Sequence, residues 1–577
     1  MHNRYLRSRT SGICLAFAFI ACGSVDRDFS RHGAGGTDGG SGSAGAHDDG
    51  GAAGSSESES EAGSSADGGS DSDGGSDSDG GTTSTDGTPL SVISVTPSGD
   101  TATTRDAISI TFNQPVTQAS ASSSISITDG TGDVAGSLVV DGRVVRFEPR
   151  GSLCFDQKYT VSIGDGVQTA EGTALDQESS FLFKIPDGAW QSALALAPSA
   201  AGFIGPEVDM DVDGNTLAAW MEGTVSALNY YDAKKAAWNG VVRPTFSSHG
   251  TSSATPIPRL RGVHALALFG DGVAESSNAQ NWTVTATSAL LGSSSYFGPA
   301  GVVIAEDDTT ALVWTDSHEF KPASLWSAFH AAGGAWQAPS TAFVTPEAYS
   351  FKLLELPDNS FLAVYEHRLD QTTGGNIAAR RYTKSKGWSS EKQIAAGYSP
   401  LIASNSFGDA LISSDTTPVA RYEYGSDKWT IMPDIAKVNE DMTVRLALAG
   451  DGTGYAVYVG GSYSANDDHI GLQRLVGNKW GKEELILPTT TDSIALAGIA
   501  ADDCGDVEVV WTNTTKNIIY ARRYTPAGGW LPAVTLTKVA PYAHPDRFAS
   551  NAHGELVVPF RTEEAGGQEA PRAIRFQ

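Results

Sequence analysis

The sequence predicts an all-β protein: a β-sandwich followed by a β-propeller, with a disordered tether in front of both. Composition is the first reason. The chain has 65 Gly but only 5 Met and 4 Cys, and 18% of its residues are charged, a profile of turn-rich β structure with flexible linkers. The second reason is a run of short apolar segments of strand length from Pro89 onward, separated by Gly, Asp and Pro. The third is a unit of roughly 50 residues that recurs after residue 187, the length of a four-stranded propeller blade. At 577 residues the chain is too long for one compact domain of roughly 100–200 residues. Its 67 acidic and 39 basic residues give a net charge of −28, which excludes nucleic acid as a partner bound by counterion release.

Residues 1–21 read as a signal peptide. Arg4, Arg7 and Arg9 form a basic start, and the apolar run Ile13 to Ala21 is far shorter than the roughly 20 residues of a membrane-spanning helix. The run ends in Phe19-Ile20-Ala21-Cys22, which resembles the lipobox of bacterial lipoproteins, with a small residue before the cysteine. That resemblance implies cleavage before Cys22 and a lipid on its sulfur, making the membrane a partner through this anchor. Phe19 and Ile20 depart from the usual Leu and small residue, and ordinary secretion with cleavage nearby is the alternative. Gly23 stands where an inner-membrane lipoprotein carries Asp, so the resemblance implies the outer membrane, at either its surface or its periplasmic face.

Residues 22–88 are almost entirely Gly, Ser, Asp, Glu, Ala and Thr and offer nothing to bury. His32 to Thr88 holds twelve acidic residues and no Lys or Arg, so self-repulsion extends it into a tether. The doubled Gly-Gly-Ser-Asp-Ser-Asp at Gly68 and Gly74 lacks the apolar residues of calcium-binding β-roll repeats. With Cys14 in the signal and Cys22 acylated, Cys154 and Cys504 remain in different predicted domains. No disulfide framework is expected, and the absence of metal-ligand spacings argues against a metal site.

In residues 89–186 the strand candidates are Val92–Val95, Ile108–Phe112, Ile125–Ile127, Val144–Phe147, Tyr159–Ile163 and Phe181–Phe183, enough for a sandwich. The opening Val95-Thr96-Pro97, Ile110-Thr111-Phe112-Asn113-Gln114-Pro115-Val116, Phe147-Glu148-Pro149, and Tyr159-Thr160-Val161 followed by Ala170-Glu171-Gly172 resemble the bacterial Ig-like domain of surface-layer and adhesive proteins. The resemblance implies a module without catalytic residues, most often a spacer.

In residues 187–577 eight segments follow Gly, Asp or Asn turns: Asn215–Trp220, His264–Phe269, Thr309–Trp314, Ser360–Tyr365, Asp409–Ser413, Gly454–Tyr458, Asp506–Trp511 and Glu555–Phe560. A tryptophan recurs after a second turn at Trp190, Trp238, Trp282, Trp336, Trp388, Trp429, Trp480 and Trp530. The last unit stops before its Trp segment, while Trp190–Leu194 stands alone ahead of the first. The N-terminal strand is therefore expected to complete the last blade and close the ring without an open edge. Eight blades are favoured; seven is the alternative, because the second and fifth units are short.

Arg381, Arg421, Arg474, Arg523 and Arg575 share one register in the predicted third strands. Sialidase-like propellers gather arginines around a central cavity, but these lie away from the axis and the Ser-x-Asp-x-Gly-x-Thr-Trp boxes are missing, so packing between blades is expected. The turns between first and second strands, such as Asp213-Gly214, Asp358-Asn359 and Asp451-Gly452, are short hairpin turns suited to positive φ. The connections from second to third strands vary in length and are chemically loaded, which is where a repeated scaffold places binding. The candidate binding face consists of Glu222, Asp316, His318, Glu366, His367, Asp467, Asp468 and His469. No nucleophile elbow, zinc-protease or phosphate-loop motif occurs, and neither a catalytic set nor a cofactor is assigned. The functional expectation is an envelope binding or adhesion module for a polysaccharide or an envelope protein, the alternative being a glycan-active hydrolase or lyase.

Overall fold

The computed structural model describes residues 88–577 apart from 101, 200–201, 247–254, 287–288, 291–299, 316–323, 332–333, 345–347, 368–374, 415–419, 436–443, 462–467, 538–547 and 565–566. The expected signal peptide, Cys22 and almost all of the tether lie outside the described residues, as do Asp316, His318 and Asp467.

The sandwich has seven strands: β1 (Val92–Thr96), β2 (Ile108–Phe112), β3 (Ile125–Thr128), β4 (Gly136–Asp141), β5 (Val144–Pro149), β6 (Lys158–Ile163) and β7 (Ser179–Lys184). They form two antiparallel sheets, ordered β1-β2-β5-β4 and β3-β6-β7. Alternation with period two sends Ile108, Ile110 and Phe112 of β2 inward, where they meet Val145, Phe147, Tyr159, Val161 and Ile163 in one core. A short helix α1 (Gln118–Ser124) went unforeseen, because its Ser/Ala sequence buries only Ala121 and shows no apolar stripe. It starts where the Thr117 hydroxyl accepts from the Ser120 N–H at 3.3 Å.

The rest of the described chain folds into eight antiparallel sheets, the first seven each built on a four-strand meander in sequence order. The first consists of Phe203–Met210, Thr216–Glu222, Val225–Asp232 and Ala237–Trp238. The others begin at Ile257, Ala300, Ala348, Leu401, Val444, Ile494 and Ala549. Every apolar segment singled out after a turn supplies a second strand, and the second strand is buried on both faces because neighbouring sheets cover it. Trp220, Trp314, Tyr365 and Tyr458 are among the most completely buried large side chains.

The eighth sheet takes its fourth strand from the start of the domain: β8 (Leu194–Ala195) pairs with Gln568–Phe576, Ala195 opposite Arg572 and Leu194 opposite Ala573. Trp190 extends the contact by bridging to Phe576. The eighth sheet also packs on the first. Asn551 Nδ2 donates to the Asp211 carbonyl at 3.1 Å, and Arg575, buried, donates to the Gly214 carbonyl at 2.6 Å while stacking on Tyr231.

The other register-matched arginines also reach the following sheet. Arg421 donates to the Gly452 carbonyl at 3.0 Å, Arg474 lies over the Tyr524 ring at 3.8 Å, and Arg381 reaches the Tyr422 hydroxyl at 3.4 Å. Arg523 pairs instead with Asp506 and Asp187 and faces the rings of Phe155 and Phe576.

In seven of the eight sheets the turns joining first to second strands are alike, with Gly214, Asp308, Asn359, Gly408, Gly452, Gly505 and Gly554 at positive φ; the second sheet has the two-residue turn Gly262-Val263. An Asp or Asn before each accepts backbone N–H groups, as Asp502 Oδ1 does from Cys504 and Asp506, both at 2.9 Å. Links between turns connect consecutive sheets, among them Asp307 N–H to Asn359 Oδ1, Gly450 N–H to the Asp502 carbonyl and Asp503 N–H to the Ala552 carbonyl.

The sandwich is fastened to this end of the sheets. Cys154, beyond β5, and Cys504, in a turn of the seventh sheet, form a disulfide with Cα atoms 5.7 Å apart. The expectation that these cysteines stay unpaired is therefore corrected. Separation by 350 residues hides a pair that only docking of the two domains brings into range. Arg105 adds an ion pair to Glu555 at 2.7 Å and a bond to the Asp213 carbonyl, and Phe155 packs edge-on against Phe576. The contacts span the seventh, eighth and first sheets, where the two ends of the repeat array meet.

Candidate functional site

The expected binding face lies at the opposite ends of the sheets, where second strands pass to third strands. The described candidates, Glu222, Glu366, His367, Asp468 and His469, belong to the first, fourth and sixth sheets, and each is engaged locally. Glu222 ends its strand in a bidentate pair with Arg243, 2.9 Å from Nε and 3.1 Å from Nη2, and also accepts from Trp220 Nε1 at 3.1 Å. Glu366 is buried and accepts the Ser399 N–H at 3.1 Å, holding the connection to the fifth sheet. Asp468 Oδ2 accepts the Ile494 N–H at 3.0 Å at the start of the seventh sheet. These three carboxylates fix backbone and arginine positions in the described structure.

His367 is different. Its Nδ1 lies 2.9 Å from Glu391 Oε1, and the other oxygen of Glu391 accepts the Tyr365 hydroxyl at 2.6 Å. Arg380 Nε donates to the same hydroxyl at 3.2 Å. The carboxylate thereby favours the proton on Nδ1, and the buried Nε2 has no hydrogen-bond partner among the described residues. Burial, reinforced by Glu391, raises the Tyr365 phenol well above its usual pKa, so it remains a proton donor to Glu391 at neutral pH.

The sixth sheet repeats part of this arrangement. Tyr458 donates to Glu483 Oε1 at 2.7 Å, Gln473 Nε2 donates to Tyr458 at 3.3 Å, and His469 Nε2 stands 3.7 Å from the same Glu483 oxygen. Burial pushes the Tyr458 phenol up to about 12, again with a contribution from its glutamate.

Glu391 and Glu483 were absent from the sequence-based candidates, yet a signal existed. Among the eight segments only those ending in Tyr365 and Tyr458 end in tyrosine, and only Trp388 and Trp480 are followed three residues later by glutamate. The two features co-occur because the phenol and the carboxylate bond to each other. Among the described residues no group of three or more His, Cys, Asp or Glu is arranged to hold a metal ion.

Residues 86–185 match the bacterial Ig-like domain family. The sandwich is thus the Ig-like domain its landmarks suggested. Comparison with curated proteins gives no match. Solved structures similar to the chain include a family 25 polysaccharide lyase, an ulvan lyase bound to a GlcA–Rha3S disaccharide (9% identity, 67% of this chain and 95% of the lyase, TM-score 0.38). They also include the α-L-arabinofuranosidase Arb93A of Fusarium graminearum (10% identity, 67% and 97%, TM-score 0.32) and a puromycin hydrolase (13% identity, 64% and 61%, TM-score 0.36). Likeness at these values leaves the chemistry of this chain to its own residues.

Proposed function

We propose that the eight sheets form a closed β-propeller, carried on the outer membrane by a lipid on Cys22 and the acidic tether, and that it binds a glycan or an envelope protein through the face opposite the Ig-like domain. The observation that carries this reading is the fastening of the Ig-like domain to one end of the sheets by the Cys154–Cys504 disulfide and Arg105. A scaffold held at one end presents the other, and there the connections differ from sheet to sheet and His367 has a ring nitrogen without a partner among the described residues.

The alternative is a glycan-active lyase or hydrolase. The specific arrangement in its favour is His367 oriented by Glu391 beside Tyr365 and Arg380, a set able to accept and return a proton. One experiment separates the two readings: the full chain is incubated with immobilised envelope and extracellular polysaccharides, with calcium and again with chelator. Retention of intact polysaccharide, weakened by His367→Ala, supports the binder; shortened or unsaturated products that vanish in His367→Ala support the enzyme. Absence of both outcomes, with a protein captured by cross-linking in the native envelope, would assign the face to a protein partner.

A further inference from the structure

A second site lies on the flank of the repeat domain, between the outer strands of the first and second sheets. The cleft there has a volume of about 330 Å³, within the range of small-molecule sites. One wall is the turn that leads into the fourth strand of the second sheet and presents Gln280 and Trp282. That turn is fixed from within: Asn278 Oδ1 accepts the N–H groups of Gln280 at 3.0 Å and Asn281 at 2.8 Å, and Ala279 adopts φ 55°. The other wall carries Tyr230, Asn239 and Gly240. It is fixed as well, by Asn239 N–H to the Tyr230 carbonyl at 2.8 Å and Gly240 N–H to Asn229 Oδ1 at 3.0 Å. Gly240 has φ +112°, and no atom lies within 4 Å of where a side chain would start, so this wall opens onto the cleft.

The lining chemistry is selective. Trp282 is half-buried and offers an aromatic surface for C–H groups. Asn239 and Gln280 are exposed, and each amide can both donate and accept. Among the described residues no charged side chain lines the cleft. An aromatic surface beside two amides, without charge, matches a ring with one C–H face and a rim of hydroxyls. Its described lining supplies no opposite charge to pair with a carboxylate, a phosphate or an ammonium group.

We propose that this cleft is a subsite for a neutral pyranose unit of a polysaccharide, with Trp282 as the stacking surface and Asn239 and Gln280 as hydroxyl partners. The site is separate from the His367 face. It extends the glycan reading of the propeller to a second contact, as multivalent attachment to a long polymer requires.

The test uses the full chain, titrated calorimetrically with maltohexaose, cellohexaose and xylohexaose, and with hexagalacturonate as the charged comparison. At least one neutral hexasaccharide is expected to bind in preference to hexagalacturonate. Trp282→Ala is expected to weaken that binding about tenfold, equivalent to about 1.4 kcal/mol. Trp282 also packs against the core between the first two sheets, so Trp282→Phe and the exposed Gln280→Ala and Asn239→Ala serve as companions. The two alanine variants are expected to weaken binding severalfold with unchanged melting temperature. Neutral binding that survives Trp282→Ala, Gln280→Ala and Asn239→Ala but is lost in His367→Ala would overturn the cleft assignment and leave the loop-face reading standing. No binding of any neutral hexasaccharide by the wild-type chain would overturn it as well.

Discussion

At one end of the eight sheets the first-to-second-strand turns are short and, in all but the second sheet, built alike, whereas at the other end the second-to-third-strand connections differ from sheet to sheet. The uniform end uses its polar residues on itself. Asp502, Asn551 and Asn405 accept backbone N–H groups within their own turns, and Asn551 and Asn405 also donate to the turn of the next sheet. The variable end runs from the two residues Gly223-Thr224 to the longer span between His367 and Asn376, and there His367 has a ring nitrogen without a partner among the described residues. Uniform, internally bonded turns make a rigid base that a second domain can cover; the connections vary where no domain covers them.

The strongest challenge to this contrast is to remove the fastening of the base. Replacing Cys154 and Cys504 with serine, or reducing the disulfide, is expected to lower the unfolding free energy of the full chain by about 2–5 kcal/mol, read from denaturant titration in oxidising and reducing buffer. Unchanged midpoints would mean that the non-covalent docking alone holds the Ig-like domain.

Glu508 sharpens the picture of the base through pH. It is buried beneath the docked domain, both its carboxylate oxygens lack a hydrogen bond among the described residues, and Arg523 Nε is 3.9 Å away. Burial pushes its pKa from 4.5 up to about 8 against the opposing pull of Arg523. The folded state therefore holds a proton that the unfolded state releases near pH 4.5. The stability this provides is complete below that pH and is lost as pH rises toward about 8. Glu508→Gln is expected to flatten that decline and to recover about 1–3 kcal/mol near pH 8. Parallel pH–stability curves for wild type and variant would contradict the account.

A smaller effect tests the closure of the eighth sheet onto the first. Arg575→Met keeps an unbranched apolar side chain but removes the guanidinium over Tyr231 and leaves the Gly214 carbonyl and the Thr216 hydroxyl without their donor, at a cost of about 1–2 kcal/mol. Hydrogen exchange should increase in the first and eighth sheets before the fourth. Uniform exchange across all sheets would argue against a seam at that position.

The smallest expected effect belongs to the variable end. Tyr365→Phe removes one hydrogen bond to Glu391 and is expected to destabilise by about 1 kcal/mol. Its larger consequence should appear in polysaccharide retention, because Glu391 orients His367. A loss of stability comparable to that of the disulfide variant would place Tyr365 in the base of the scaffold instead.

The contrast also explains what was legible in the sequence. The second strands were legible because burial on both faces demands continuous apolar runs such as Val507–Trp511. The positive-φ turns were legible because few residues other than Gly, Asn and Asp adopt that conformation. The helix α1 was not, since it buries little and depends on the Thr117 cap. Of the candidate face, the sequence does not show that Glu222, Glu366 and Asp468 hold Arg243, Ser399 and Ile494, or that Glu391 stands beside His367. A carboxylate looks the same in sequence whether it faces a ligand or a backbone N–H.

By itself the sequence determined the all-β class, the Ig-like domain, the eight repeating units and the return of the N-terminal segment to the last unit, because each follows from local apolar period or local turn chemistry. Only the tertiary structure decided the Cys154–Cys504 pairing, the face that the Ig-like domain covers, the Glu391–His367 and Glu508–Arg523 relationships and the cleft beside Trp282. These are meetings between distant segments or neighbouring strands, and their geometry is set by how sheets pack rather than by any pattern within one strand.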